Sequence, residues 1–279
     1  GGILMNERVL EQYKKAPNKF LSRFILTFVV VGILVWSGST IQFSEVSQNG
    51  LTIAKNIFFG IFNPDKELLF NLTTSGVPYL LLETICIAFL GTIVGAIIAI
   101  PVAFISATNI VPKFISVIGR TVIMAIRTVP PIVYGLMFIR VTGPGPFAGL
   151  LTMSVASVGM ISKMYIESIE DLDTKILESL DASGCGFFLK IRYGILPQLF
   201  ADFISTIIYR FDMNLRDATV LGIVAAGGIG APLIFAMNAY RWSQVGSIII
   251  GLIMLVLIIE FISTKIRVKL VKGELWKEI

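Results

Sequence analysis

The chain has 279 residues, 55% of them hydrophobic and only 15% charged, with a mean hydropathy of +0.85 and a formal charge of +5. A soluble domain carries about 25% charged residues, so this composition points to an integral membrane protein and argues against a soluble enzyme. Histidine is absent, which removes the commonest general base and metal ligand, and Cys86 and Cys185 fall in unlike surroundings, so neither a metal site nor a disulfide is expected.

The four residues ahead of Met5 read as an appended remnant, and residues 1–19 as a basic N-terminal segment. No Ala-x-Ala-type processing signal follows the first apolar run, so no cleavable signal peptide is expected. A bilayer crossing takes about 20 mostly apolar residues. The segments that qualify are 20–38, 77–105, 114–139, 146–166, 198–221 and 245–264, which predicts an all-α membrane protein of six transmembrane helices. Between the first two lies a long loop, 39–76, in which NIFFGIFNPDKELLF is expected to form an interfacial helix. Pro101 interrupts the second span and Pro130-Pro131 the third, as kinks that neighbouring helices can accommodate. With the N-terminus inside, Lys55, Lys66, Arg140 and Arg241 are the only cations in outer loops, so both termini are expected in the cytoplasm. The positive charge is then a topology signal and requires no nucleic acid.

Ionisable groups inside spans are functional candidates, because each is costly unless paired or watered. Glu83 lies near the outer end of the second span and Arg127 near the middle of the third; they either pair structurally or line a pathway. Arg120, within two turns of the inner end, can snorkel to the headgroups.

Residues 167–197 form the longest internal cytoplasmic loop of this topology. Ile169, Leu172, Ile176, Leu177 and Leu180 recur at helical spacing, opposite an acidic face of Glu167, Glu170, Asp171, Asp173, Glu178 and Asp181. Gly184 and Gly186 then allow a sharp turn, Phe187, Phe188 and Leu189 make an apolar knob, and Leu196-Pro197 opens the next helix. The loop is either a hairpin packed on its own membrane domain or a docking element for a soluble partner.

In the fifth span, Asp212 and Arg216 stand in the favourable acid-first i, i+4 order, while Arg210, Asn214 and Asp217 make a polar stripe on one face. That stripe faces a watered pathway or a buried dimer network; Arg210, with no carboxylate three or four residues away, is expected to be the cation available to substrate. Gly227, Gly228 and Gly230 are read as a break in a membrane helix near the outer surface, since no G-x-x-x-x-G-K-[ST] occurs. No G-x-S-x-G occurs either, and Asp212 and Asp217 on one helix, each with an arginine nearby, make a poor acid–base pair, so an enzyme is not expected. An ATP-independent transporter or channel is the nearer rival. The basic tail 265–279 follows the last span.

These residues carry a resemblance. Glu178, Ala182 and Gly184, followed after nine residues by Gly194 and then Leu196-Pro197, resemble the EAA loop of ABC-importer permeases. Ser179 and Leu180 replace its two alanines, and Gly194 stands at its isoleucine position. Arg127-Thr-Val-Pro-Pro131 resembles an element of methionine-type permeases. The stretches IRYGILPQ and YRFDMNLRDATVLGIVAAGGIG resemble phosphonate permeases of the PhnE type, over roughly residues 80 to 270. The resemblance implies a type I, MetI-like permease fold over core residues 77–264 in a bacterial inner membrane. It implies a coupling helix at Gly184–Phe188 anchored by Glu178, and a separate ATPase subunit, in two copies, that carries ATP and Mg. It also implies a second permease subunit, identical or paralogous, and an extracytoplasmic binding protein. The implied cargo is phosphonate or a related oxyanion such as phosphite or phosphate, or, alternatively, another small anionic or amino-acid-type solute. No cofactor is expected on this chain.

Overall fold

The structure is a computed structural model and describes residues 20–40 and 50–271. The basic segment 1–19, residues 41–49 of the long loop and the tail beyond 271 lie outside the described residues. The chain divides into two units, residues 1–53 and 54–279. In the first, α1 (Phe20–Thr40) is a single unbroken helix, long and apolar enough to cross a membrane. A second helix, α2 (Gly50–Phe62), begins in the first unit and ends in the second.

The second unit opens with a correction to the single interfacial helix expected over NIFFGIFNPDKELLF. The helix stops at Phe62, and α3 (Lys66–Phe70) starts afresh because Asp65 caps it, its Oδ1 accepting the Glu67 and Leu68 N–H groups at 3.1 and 3.2 Å. By contrast, α4 (Val77–Ser106) runs through Pro101 without a break. One proline removes one backbone donor, and a helix held by neighbours absorbs that loss. Two adjacent prolines do more. The expected third span is two helices, α5 (Lys113–Thr128) and α6 (Pro131–Thr142), turned 84° from each other. Val129 and Pro130 are both extended, as a residue before proline prefers, and the turn follows.

Next, α7 (Pro146–Glu170) lies parallel to α4, and the two make the most extensive helix contact in the unit. The sequence reason is a row of small residues at every fourth position of α4, Gly91, Gly95, Ala99 and Ala103, set against a buried row on α7, Met153, Ser157, Ile161, Tyr165 and Ile169. Methyl groups added at Gly91 and Gly95 would strike the Met153 and Ser157 side chains. Membrane helices lack a hydrophobic drive between them and hold by such close van der Waals approach.

Residues 171–173 separate α7 from α8 (Thr174–Ala182), so the amphipathic helix expected across 167–181 is two pieces. The short α9 (Phe187–Leu189) feeds a π-helical turn at Lys190–Ile195, which runs directly into α10 (Leu196–Leu221) with Pro197 in its first turn. Antiparallel to α4 and α7, α10 stacks Phe203 on Tyr165, ring centroids 4.0 Å apart. A 3-10 turn at Gly222–Val224, α11 (Gly230–Asn238) and α12 (Trp242–Val271) complete the unit.

Among the described residues four helices, α1, α4, α7 and α12, are long and apolar enough to cross a membrane, and counting the bent α5–α6 pair gives up to five. The expected fifth crossing, α10, has 26 residues, enough to span by length, but Asp202, Arg210, Asp212, Arg216 and Asp217 make it too charged to qualify on composition. The expectation of six apolar crossings is therefore met only in part.

Candidate functional site

Three regions gather the residues singled out above. The first is the glycine turn after α10. Gly227 and Gly228 have φ of +82° and +72°, conformations that favour glycine, and a side chain at Gly227 would collide with Pro146 at the start of α7. The turn is anchored to α4 by side chains: Glu83 Oε1 accepts the Gly228 N–H at 3.1 Å, and Thr84 Oγ1 accepts the Ile229 N–H at 2.9 Å while donating to Leu80 O at 2.7 Å. Thr84 and Ile229 are fully buried. Gly230 opens α11 against the Thr219 carbonyl and Gly222.

Glu83 is thereby committed to a backbone amide, and the Glu83–Arg127 pair considered from sequence does not form among the described residues. The two side chains sit at different levels of the bundle, Glu83 beside the glycine turn and Arg127 with its stem against Gly159, halfway along α7. Nor does Arg120 reach out freely. Its guanidinium binds Glu170, the Ser106 carbonyl and Ser116 Oγ, and Glu170 also accepts from the backbone and hydroxyl of Thr108. Glu170 thus ties α7 to the end of α4 and to α5, and is not part of an acidic docking face.

The second region is a junction of α4, α7 and α10. Asn214 is fully buried, and its Nδ2 donates to Thr92 Oγ1 and to Ser157 Oγ, each at 2.7 Å. Arg210, 5% exposed, donates from Nε to the same Ser157 Oγ at 3.3 Å and lies 3.8 Å from Asp217, two turns along α10. The polar stripe therefore faces the interior of its own unit. Arg210 as a cation free for substrate is corrected: the i+7 carboxylate reaches it, because two helical turns bring Asp217 back to the same face. The i, i+4 pair forms as its spacing suggests, Arg216 Nη2 to Asp212 Oδ2 at 2.7 Å, and Arg216 also meets Glu260 of α12 at 3.4 Å.

Thr84, Thr92, Ser157 and Glu260 escaped the sequence reading. Hydroxyls in apolar runs carry no distinctive spacing, but Glu260, a lone carboxylate in the last span, is a signal that the sequence does contain.

The third region is the segment joining α7 to α10. Glu178 and Ala182 are exposed on α8, and Gly184 (φ +75°) turns the chain with open space around it. Gly186 is exposed, Phe188 on α9 is 82% exposed, and the Phe187 side chain lies outside the described residues. Leu180 points back to Gly194, where a side chain would strike its Cδ1, so the glycine at this position is the space Leu180 fills. Leu196 is half-buried and Pro197 exposed at the head of α10.

Residues 99–264 match the family described as "Binding-protein-dependent transport system inner membrane component". The chain is 32% identical over 270 residues to HtxC of Stutzerimonas stutzeri, named as a phosphite transport system permease protein, covering 94% of each chain. It is 30% identical over 188 residues to the phosphite transport system permease protein PtxC of the same organism, covering 67% of this chain and 68% of that one. Among solved structures, the inward-facing MetNI methionine ABC transporter superposes with a TM-score of 0.61 at 18% identity, covering 68% of this chain and 93% of that chain, a likeness of fold.

Proposed function

This chain belongs to the family of binding-protein-dependent transport system inner membrane components, and on that premise we propose that it carries a phosphorus oxyanion, phosphite, phosphonate or phosphate, across the membrane. As a family member it is a multi-pass permease subunit of an ABC importer and no enzyme, since ATP hydrolysis belongs to a separate subunit. The observation that carries the oxyanion assignment is the likeness to a phosphite permease along 94% of both chains.

In this reading both termini are cytoplasmic, α10 is a true crossing despite its charges, and the permease core has the six-span topology of the sequence expectation. The α8–α9 segment then faces the cytoplasm, with Gly184, Gly186, Phe187 and Phe188 seated in the ATPase, and Glu178, Leu196 and Pro197 framing them. The open space around Gly184 and the 82% exposure of Phe188 support a docking role over an internally packed hairpin. Two permease subunits pair, each with one ATPase, and a binding protein delivers cargo on the opposite side. The glycine turn at Gly227–Gly230 lies toward that outer mouth. Arg210 and Asn214 hold the helix junction that shapes the route, with Asp217 and Arg216 at its edge.

Reconstitution tests the reading. Proteoliposomes holding the permease, its ATPase and the binding protein are expected to take up radiolabelled phosphite, methylphosphonate or phosphate only with ATP. Phe188→Asp is expected to leave the permease inserted while the ATPase no longer co-purifies. Nucleotide-independent uptake, or ATP-driven uptake of methionine with none of the three phosphorus compounds, would overturn it.

A further inference from the structure

The cleft between α5 and α7 has chemistry that the transport reading leaves unused. It encloses about 190 Å³ and is lined by Arg120, Arg127, Lys163, Glu167 and Glu170 over the apolar Ile123 and Ile166. Both carboxylates are already engaged. Glu170 answers Arg120 and Thr108, and Glu167 lies 3.3 Å from Lys163. Arg127 is different: among the described residues its guanidinium has no hydrogen-bond or ion-pair partner. Its aliphatic stem lies on Gly159, where a methyl group would come within 2.9 Å of Cγ, and Lys163 stands one turn along the same helix. Arg120 and Arg127, seven residues apart, share one face of α5, about 10 Å from one to the other along the axis.

On the orientation proposed above, this cleft opens at the cytoplasmic membrane surface and leads inward to Arg127. Arg127 is exposed on the single subunit; the proposed topology puts it within the bilayer, where a guanidinium without a counter-charge is costly, so a cleft that presents one beside a lysine calls for an anion. Three cations against two committed carboxylates leave one positive charge unanswered, and the planar fork of arginine matches two oxygens of a tetrahedral phosphorus group. We propose that the α5–α7 cleft binds a phosphate-type oxyanion, with Arg127 as the principal ligand and Lys163 beside it. Basic pockets between membrane helices on this side suit anionic lipid headgroups, and a free oxyanion arriving from the cytoplasm offers the same chemistry.

Two arms separate the sources, both on the permease purified with its ATPase. In phosphatidylcholine nanodiscs, binding of 33P-labelled inorganic phosphate is measured by equilibrium dialysis. In nanodiscs of mixed phosphatidylcholine and phosphatidylglycerol, the lipid retained on release is identified by native mass spectrometry. Phosphate bound in the first arm assigns a free oxyanion, and preferential retention of phosphatidylglycerol assigns a headgroup; either supports the site. Whichever ligand binds is expected to be lost about tenfold or more in Arg127→Gln, weakened in Lys163→Gln and largely kept in Arg127→Lys. Arg140→Gln, on α6 outside the cleft, serves as the control and should bind as the parent does. Binding of neither ligand, or binding indifferent to Arg127→Gln and Lys163→Gln alike, overturns the proposal. So does loss of the second permease copy from Arg127→Gln without any bound anion, which would make Arg127 a contact between subunits. Uptake measured in parallel keeps the readings apart, since ATP-driven uptake without anion binding sinks this site and leaves the importer standing.

Discussion

Thr84→Val tests how the glycine turn is held. Valine has nearly the shape of threonine, so packing is kept and only the hydroxyl is lost. That hydroxyl makes two bonds, donating to Leu80 O and accepting from Ile229 N–H. The Leu80 carbonyl still faces the backbone of its own helix, whereas the Ile229 N–H is left with no acceptor at a residue that is 0% exposed. Orphaning one buried donor costs about 1–3 kcal/mol, which corresponds to roughly a 5- to 150-fold increase in local opening, at tenfold per 1.4 kcal/mol. Hydrogen–deuterium exchange of a peptide covering residues 222–236, with the protein in nanodiscs, reads this directly. Thr84→Ser keeps the acceptor and is expected to exchange close to the parent. Unchanged exchange in Thr84→Val, or equal acceleration in both variants, would refute the assignment of Thr84 as the anchor.

Two further outcomes follow from the geometry. Asn214→Leu and Thr92→Val, measured singly and together by reversible unfolding in detergent, are expected to couple by about 0.6–1.7 kcal/mol, the range for hydrogen bonds between membrane helices; strictly additive losses would show that the 2.7 Å bond is not formed in the membrane. Cys185, half-buried beyond Gly184, is expected to resist a membrane-impermeant maleimide in sealed cells and to react once the membrane is opened and the ATPase removed. Modification of Cys185 in intact cells would reverse the proposed orientation.

Much of the architecture is local and hence legible in the chain. Apolar runs of bilayer length make α1, α4, α7 and α12 helices whatever surrounds them, because a backbone in lipid must satisfy its own hydrogen bonds. The spacing from Glu178 through Gly184 to Leu196-Pro197 is likewise a property of the sequence, as is the i, i+4 pairing of Asp212 with Arg216. Other features depend on which faces meet. Pro101 looks as disruptive on paper as Pro130, yet only the paired prolines turn the chain by 84°. The partners of Glu83, Arg120 and Arg210 come from 145, 50 and 7 residues away, and no pattern within a single helix announces the first two. Asn214 turns inward because α4 presents Thr92 and α7 presents Ser157 at one level, which follows from the small-residue rows that bring those helices together. The long apolar helices and the ABC-permease motif are thus legible in the chain, since they depend on composition and near-neighbour spacing, whereas the breaks at 63–65, 129–130 and 171–173 are not. Which intramembrane charges are answered, and which, as at Arg127, have no partner among the described residues, depends on how the helices pack, because a charge partner is selected by proximity in space.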